Sequence, residues 1–319
     1  MLSLTNAIRE TARELLIAGK VDVVIGYERG SVPLRATPVF IRDAAQVDRL
    51  IWDETCENVL ANFLKDTKGK KAVVAKGCDS RAIALLINEG QLNRDDLYII
   101  GISCAGVVDR RKIETELGGE ILAATIDGGK VYAAGVESEK TYDFTDVKDK
   151  TCRQCRYPNP VLCDVHLGEA IERPLGSLEE DYADVIAAEN LSPQEREAIC
   201  QAEMAKCTRC YSCRNACSLC YCPECFVDAN APRWVSGGTS VAENLFFHTG
   251  RLMHLAGRCV ACGACARACP QGVDIQILKR KITKDVLELY NHEAGLCETC
   301  QPALNEYTTD DQQPFLVKE

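Results

Sequence analysis

Two short runs of cysteine constrain this 319-residue chain more than any other feature. Cys207-x2-Cys210-x2-Cys213-x3-Cys217 and Cys259-x2-Cys262-x2-Cys265-x3-Cys269-Pro270 share one spacing and begin 52 residues apart. In that spacing three thiolates from one turn cap three irons of a cubane, and the fourth, farther along, reaches a neighbouring cluster. The runs therefore predict two [4Fe-4S] clusters with crossed ligation. Cys207, Cys210, Cys213 and Cys269 hold the first; Cys259, Cys262, Cys265 and Cys217 hold the second. Ser218 stands where a proline would follow the first run, a departure that touches the turn and not the ligands. Structural zinc, held tetrahedrally by two cysteine pairs, fits this pattern poorly.

Cysteine is also the outlier of the composition, with 20 residues against four His, three Met and two Trp. The first 30 residues carry no basic segment followed by an apolar run and a small-residue cleavage site, so no secretory signal is read. The expected location is a reducing cytoplasm, where a cysteine-rich chain is metal-binding or catalytic more often than disulfide-bonded. The longest plain apolar run, Ala82 to Ile87, is far below the roughly 20 residues that span a bilayer. The formal charge is -10, and three four-iron clusters with their thiolates would bring it to about -16. Nucleic acid is thereby an improbable partner; an acidic surface suits solubility or docking to a basic patch on another protein.

The length favours about two domains. Leu4, Ile8, Ala12, Leu15 and Leu16 recur at helical spacing, and Gly19 follows as a cap. Short β-rich runs at Val21 to Ile25, Val39 to Ile41, Ala72 to Ala75 and Leu97 to Ile102 alternate with helical patterns around Asp48 to Leu64 and Ser80 to Asn88. This alternation predicts an α/β domain with a largely parallel sheet over residues 1–175. Asp127-Gly128-Gly129, between two β-prone runs, predicts a hairpin added at an edge. Residues 176–202 form an acidic linker helix, with Ser192-Pro193 opening it and Glu195 completing a capping box. Residues 203–290 make a mainly α, bacterial-type two-cluster ferredoxin domain with an insert, and residues 291–319 a C-terminal tail.

Four further cysteines fall where ligands of open α/β sheets collect, past the carboxyl ends of strands. Cys78 follows the Ala72 to Ala75 strand, Cys104 follows the Leu97 to Ile102 strand, and Cys152-x2-Cys155 adds a close pair. Together they can ligate a third four-iron cluster, with Cys56 or Cys163 as possible substitutes for one of them. The insert carries Cys220, Cys222 and Cys225, which suit either an extra metal site completed by His248 or His254, or three reduced thiols. Cys200 and the Cys297, Cys300 pair read as structural or incidental.

The combination of AKGCDSRA, IIGISCAG and CRQC in an α/β domain resembles the iron-sulfur flavoprotein beta subunits of deazaflavin-reducing hydrogenases and formate dehydrogenases. The second half, KCTRCYSCRNACSLCYCPECFVD with RWVSGG and HLAGRCVACGACARACP, resembles the form of that family fused to a two-cluster ferredoxin. The likeness spans roughly residues 10–310. It implies Cys78, Cys104, Cys152 and Cys155 as cluster ligands and a flavin (FAD) as a possible neighbour. It also implies partners from the redox subunits of anaerobes: a flavoprotein, a hydrogenase, a formate dehydrogenase or a heterodisulfide-reductase-like subunit.

For the flavin the residues say less. No G-x-G fingerprint and no P-loop occur. Gly26, Gly30 and Ser31, following the first strand, offer backbone to a phosphate, and Lys76 and Arg81 flank Cys78 as candidate phosphate or flavin contacts. The leading expectation is an iron-sulfur electron-transfer subunit of a multi-subunit oxidoreductase. The alternatives are a flavin-containing reductase acting directly on deazaflavin or nicotinamide, and a zinc-bearing scaffold.

Overall fold

The computed structural model describes residues 2–303 apart from residue 174; the expected tail beyond residue 303 lies outside the described residues. Helix α1 (Leu2–Ile17) buries Ile8, Ala12 and Leu15 along one stripe, and Gly19 (φ +63°) ends it. Strands β1 (Val23–Arg29) and β2 (Ala36–Ile41) form an antiparallel hairpin. After a long connection come β3 (Lys71–Ala75), α2 (Gly77–Asn88), β4 (Leu97–Ile102) and α3 (Arg110–Leu117). Strands β5 (Ala123–Asp127), β6 (Lys130–Ala134) and β7 (Glu139–Asp143) follow, then α4 (Lys150–Arg153) and β8 (Val165–Leu167).

The main sheet has the order β2-β1-β3-β4-β8, parallel except at the β2 edge. Every residue of β3 is buried, as expected of a central strand covered on both faces. The first half is thus the α/β domain with a parallel-rich sheet that its alternating pattern predicts. Two local expectations are corrected. Asp48 to Leu64 is not a helix but two 3-10 turns, Ala44–Arg49 and Leu60–Phe63, around a loop. There Asp53 accepts hydrogen bonds from Thr55 N at 2.8 Å and from Thr55 Oγ1, local bonds that compete with helix. The hairpin β5-β6 turns at Gly128-Gly129 but does not edge the main sheet; with β7 it forms a separate three-stranded sheet over its own small core.

Residues 178–205 are three helices, not one: α5 (Leu178–Asp181), α6 (Ala183–Glu189) and α7 (Pro193–Ala205). Two capping boxes, Ser177 with Glu180 and Ser192 with Glu195, explain why the segment restarts. Beyond lie α8 (Ser212–Asn215), α9 (Val241–His254), α10 (Ala264–Arg267) and α11 (Gln276–Tyr290). The 52-residue sequence repeat is also a backbone repeat. Arg209 and Ala261, then Tyr211 and Gly263, take left-handed φ of 51°, 53°, 60° and 74°, and α8 and α10 follow at matching positions.

The two halves share one core, in which Leu219, Leu255, Val260, Ala264 and Ala294 join residues of the main sheet. Polar bonds fix the seam. Arg81 on α2 donates to the Ala294 carbonyl at 3.0 and 2.7 Å, and Arg258 pairs with Glu89. Arg81→Met should leave the Ala294 carbonyl buried and unpaired. Urea unfolding should show a loss of about 1–3 kcal/mol, with faster proteolysis at the seam between the halves.

Candidate metal centres

Three cavities are lined by twelve of the 20 cysteines, and each is built from the ends of secondary elements. In the first half, β3 ends into Lys76 and α2 begins at Gly77, which places Cys78 on the first turn of the helix. Strand β4 ends at Ile102, and the Cys104 N–H, just beyond, donates to the Pro158 carbonyl at 2.9 Å. Asp149 caps α4, which carries Cys152, and Cys155 lies one turn on. Cys78, Cys104, Cys152 and Cys155 line one cavity of about 320 Å3, together with Cys262 from the second half. Cys56 and Cys163 do not line it. Cys56 is fully buried beside Asp53, and Cys163 packs against Gly101.

In the second half Cys207, Cys210, Cys213 and Cys269 line one small cavity, and Cys217, Cys259, Cys262 and Cys265 another, each of about 20 Å3. The fourth cysteine of each run therefore meets the first three of the other. Both enclosures suit a compact group and are far below the roughly 300 Å3 at which coenzyme-sized sites begin. Cys262 lines two cavities and ties the second centre to the first-half centre. Cys207, Cys213 and Cys269 pack on one apolar cluster with Cys265, Val273 and Ile275, which joins the two small cavities. At the seam, a Cβ on Gly263 would stand 2.2 Å from Thr151 Oγ1, so only glycine lets this loop approach the Cys152 turn. Arg267 secures the approach through the Cys262 carbonyl at 3.0 Å and Thr151 Oγ1 at 3.3 Å.

The electrostatics of the small cavities are unusual. Lys279 on α11 and Arg251 on α9 are 5% and 4% exposed. Among the described residues neither forms an ion pair with a carboxylate, and Arg251 Nε has no hydrogen-bond partner. Lys279 lines the second cavity itself, and Arg251 donates to the Cys213 carbonyl at 2.7 Å. Burial opposes the Lys279 charge, yet the sulfurs of Cys265, Cys259 and Cys217 hold its pKa above the ordinary value. Burial likewise pushes the Cys262 thiol up to about 12, whereas for Cys265 the nearby Lys279 and Arg251 overcome burial and bring it down. Buried charge is normally paired, and the groups that hold these two cations charged are cysteine sulfurs. A polyanionic group held by cysteine thiolates fits these cations. His248 faces Cys207 with Nε2 at 3.4 Å from Sγ; burial, then Arg251 and Lys279, lower its pKa to about 4 and keep the imidazole neutral.

The residues nominated for a flavin do not converge. Strand β1 runs four residues past Ile25, so Gly26 lies inside it, packed on Leu50, and not in a loop after it. Gly30 and Ser31 are at the β1-β2 turn, and neither lines the large cavity. Lys76 does line it, but its ammonium is spent on Asp79 at 2.9 Å and the Asn58 carbonyl at 2.6 Å. Arg81 is engaged with Ala294, Glu293 and the Tyr157 ring. The insert cysteines do not gather either. Cys220 lies beside Cys217, Cys222 is exposed, and Cys225 lies near Arg214. His248 belongs to the first small cavity, and His254 packs on Phe226. Among the described residues no three His, Cys, Asp or Glu side chains are placed to hold a single ion. Sequence reasoning missed Lys279 and Arg251, which lie on buried helix faces with other polar side chains, Gln276 and Arg280 on α11 and Asn244 and His248 on α9.

Comparison with known proteins bears on this geometry. Residues 69–209 match the family model for the C terminus of the beta subunit of coenzyme F420 hydrogenase/dehydrogenase, and that span contains four of the five cysteines that line the large cavity, all but Cys262. Over those residues the chain is similar to that beta-subunit family. An F420-dependent formate dehydrogenase subunit beta of Methanocaldococcus jannaschii is 24% identical, with 94% of each chain covered. The subunit beta of F420-dependent formate dehydrogenase 1 from Methanococcus maripaludis is also 24% identical, over 94% of this chain and 92% of its own. A chain of the F420-reducing [NiFe] hydrogenase complex from Methanosarcina barkeri is 16% identical, with a TM-score of 0.38 over 60% of this chain and 79% of its own. The family match stops at Arg209, inside the first cysteine run, so the two small cavities are described by their own geometry alone.

Removing the buried charge at Lys279 should make reduction of the second centre harder. In an EPR-monitored redox titration, Lys279→Met should lower the midpoint potential of one centre while Lys279→Arg keeps it near the parent value.

Proposed function

We propose that this chain is an iron-sulfur electron-transfer subunit of a multi-subunit oxidoreductase, carrying three four-iron centres in series. The observation that carries the reading is Cys262, which lines both the second small cavity and the large cavity of the first half. The proposed ligands are Cys207, Cys210, Cys213 and Cys269, then Cys217, Cys259, Cys262 and Cys265, then Cys78, Cys104, Cys152 and Cys155. The fold of residues 203–290 is proposed to be the two-cluster ferredoxin type, supported by the backbone repeat of its two loops. Bound clusters would supply one-electron transfer without covalent chemistry. The chain's own residues hold the sulfurs at fixed places, keep water out with Val260, Val273 and Ile275, and offset negative charge with Lys279 and Arg251.

The two curated relatives named above are beta subunits of F420-dependent formate dehydrogenases, and the partner proposed here is a catalytic subunit of that kind. No described helix is long and apolar enough to cross a membrane. Direct reduction of a deazaflavin or nicotinamide on this chain is the weaker reading, because the residues nominated for a flavin are dispersed or already paired.

Anaerobically purified protein should contain about 12 iron atoms per chain; a count near eight would remove the first-half centre, and zinc in place of iron would restore the scaffold reading. Cys269→Ala should damage the centre held by Cys207, Cys210 and Cys213, and Cys217→Ala the centre of the second run. Damage confined to the mutated run in both variants would show that ligation is not crossed.

A further inference from the structure

Eight cysteines line none of the three cavities, and Cys297 and Cys300 are among them. Among the described residues Cys297 and Cys300 are the one bonded pair, with Cα atoms 5.5 Å apart, while eighteen other cysteines are free. A loop closed over so few residues removes little entropy from the unfolded chain, so the bond contributes little as a staple. The segment is also pinned without it. Arg81 donates to the Ala294 carbonyl at 3.0 and 2.7 Å, Asn88 donates to the Cys300 carbonyl, and Arg94 pairs with Glu298 at 3.6 Å. What two thiols at this spacing do well is open and close reversibly in a two-electron reaction.

Placement identifies the electron source. Gly295 lies so close to α2 that a Cβ there would stand 2.1 Å from the Arg81 carbonyl oxygen. Arg81 is one helical turn after Cys78, and both line the large cavity. Cys297 is two residues beyond Gly295, which bounds its Cα separation from Cys78 at roughly 17 Å. Both cysteines of the pair are half-buried on this rigid mount.

We propose that Cys297 and Cys300 form a dithiol/disulfide redox centre that exchanges electrons with the iron-sulfur centre of Cys78, Cys104, Cys152 and Cys155. The proposal rests on the iron-sulfur reading of that cavity. In reduction the Sγ–Sγ bond breaks, two electrons arrive one after the other from the reduced iron-sulfur centre, two protons come from water, and two thiols result. Oxidation returns two electrons and two protons and re-forms the bond. The pair would thereby couple a line of one-electron centres to two-electron chemistry.

The test uses the full-length chain with its iron in place, purified without oxygen and reduced electrochemically through a low-potential viologen. Samples are quenched with iodoacetamide, and the peptide carrying Cys297 and Cys300 is weighed. The expected result is an untagged peptide before reduction and two tags after it, with tagging at least tenfold slower in Cys78→Ala. Cys155→Ser serves as the second variant if Cys78→Ala does not fold, and retention of the other eight irons shows that either variant is folded. The proposal is overturned if the peptide stays untagged while the iron-sulfur absorbance bleaches, if it is fully tagged before reduction, or if tagging is equally fast in the variants. Iron content and bleaching report the centres independently, so loss of the iron-sulfur reading is distinguishable from loss of this one.

Discussion

Lys279 and Arg251 are held out of water with no carboxylate paired to them among the described residues, a state that costs several kcal/mol per ion unless an anion is close. The nearest anions the fold offers are cysteine sulfurs, and thiols buried to this degree resist ionisation on their own. Each side thus needs the other, and metal binding resolves both needs because it deprotonates the thiols outright. Helices α9 and α11 are then more than cover for the cysteine loops. They bring the compensating charge to the place where the loops concentrate negative charge.

The same reasoning explains how much could be read in advance. The grouping of the two cysteine runs around two cavities was legible because cysteine spacing is a local property of the chain, set by one turn of backbone. Cys78 and Cys104 were legible through a rule about strand ends, once β3 and β4 had been recognised from their apolar runs. The rest depended on tertiary structure. Strand β8 has only three residues and no pattern of its own. Asp48 to Leu64 had helical spacing, but Asp53 turned the chain through side-chain hydrogen bonds. Gly26 looked like a loop glycine because the end of β1 was placed too early; four more residues of strand put it against Leu50 and away from any phosphate. Lys279 and Arg251 could not have been singled out, since a cation on an amphipathic helix is ordinarily a solvated one.

The seam between the halves also recasts their relation. A linker would allow the two parts to move separately, yet one core runs through both, and the second centre borrows Cys262 for the wall of the first-half cavity. The chain is therefore better described as one scaffold with its sulfurs strung along the interior than as a carrier domain tethered to a second domain.

The backbone repeat is a near-copy with a single telling difference. At its second left-handed position one loop has Gly263, bare enough to lie against Thr151, and the other has Tyr211, whose ring meets Phe247 edge-on at 5.4 Å under the Arg214 guanidinium. Two loops of equal shape have thus been made unequal at their outer ends, so that one plugs inward and the other is barred from doing so. The two ends of the repeat are therefore not interchangeable, because only the loop that carries glycine can seat against the Cys152 turn.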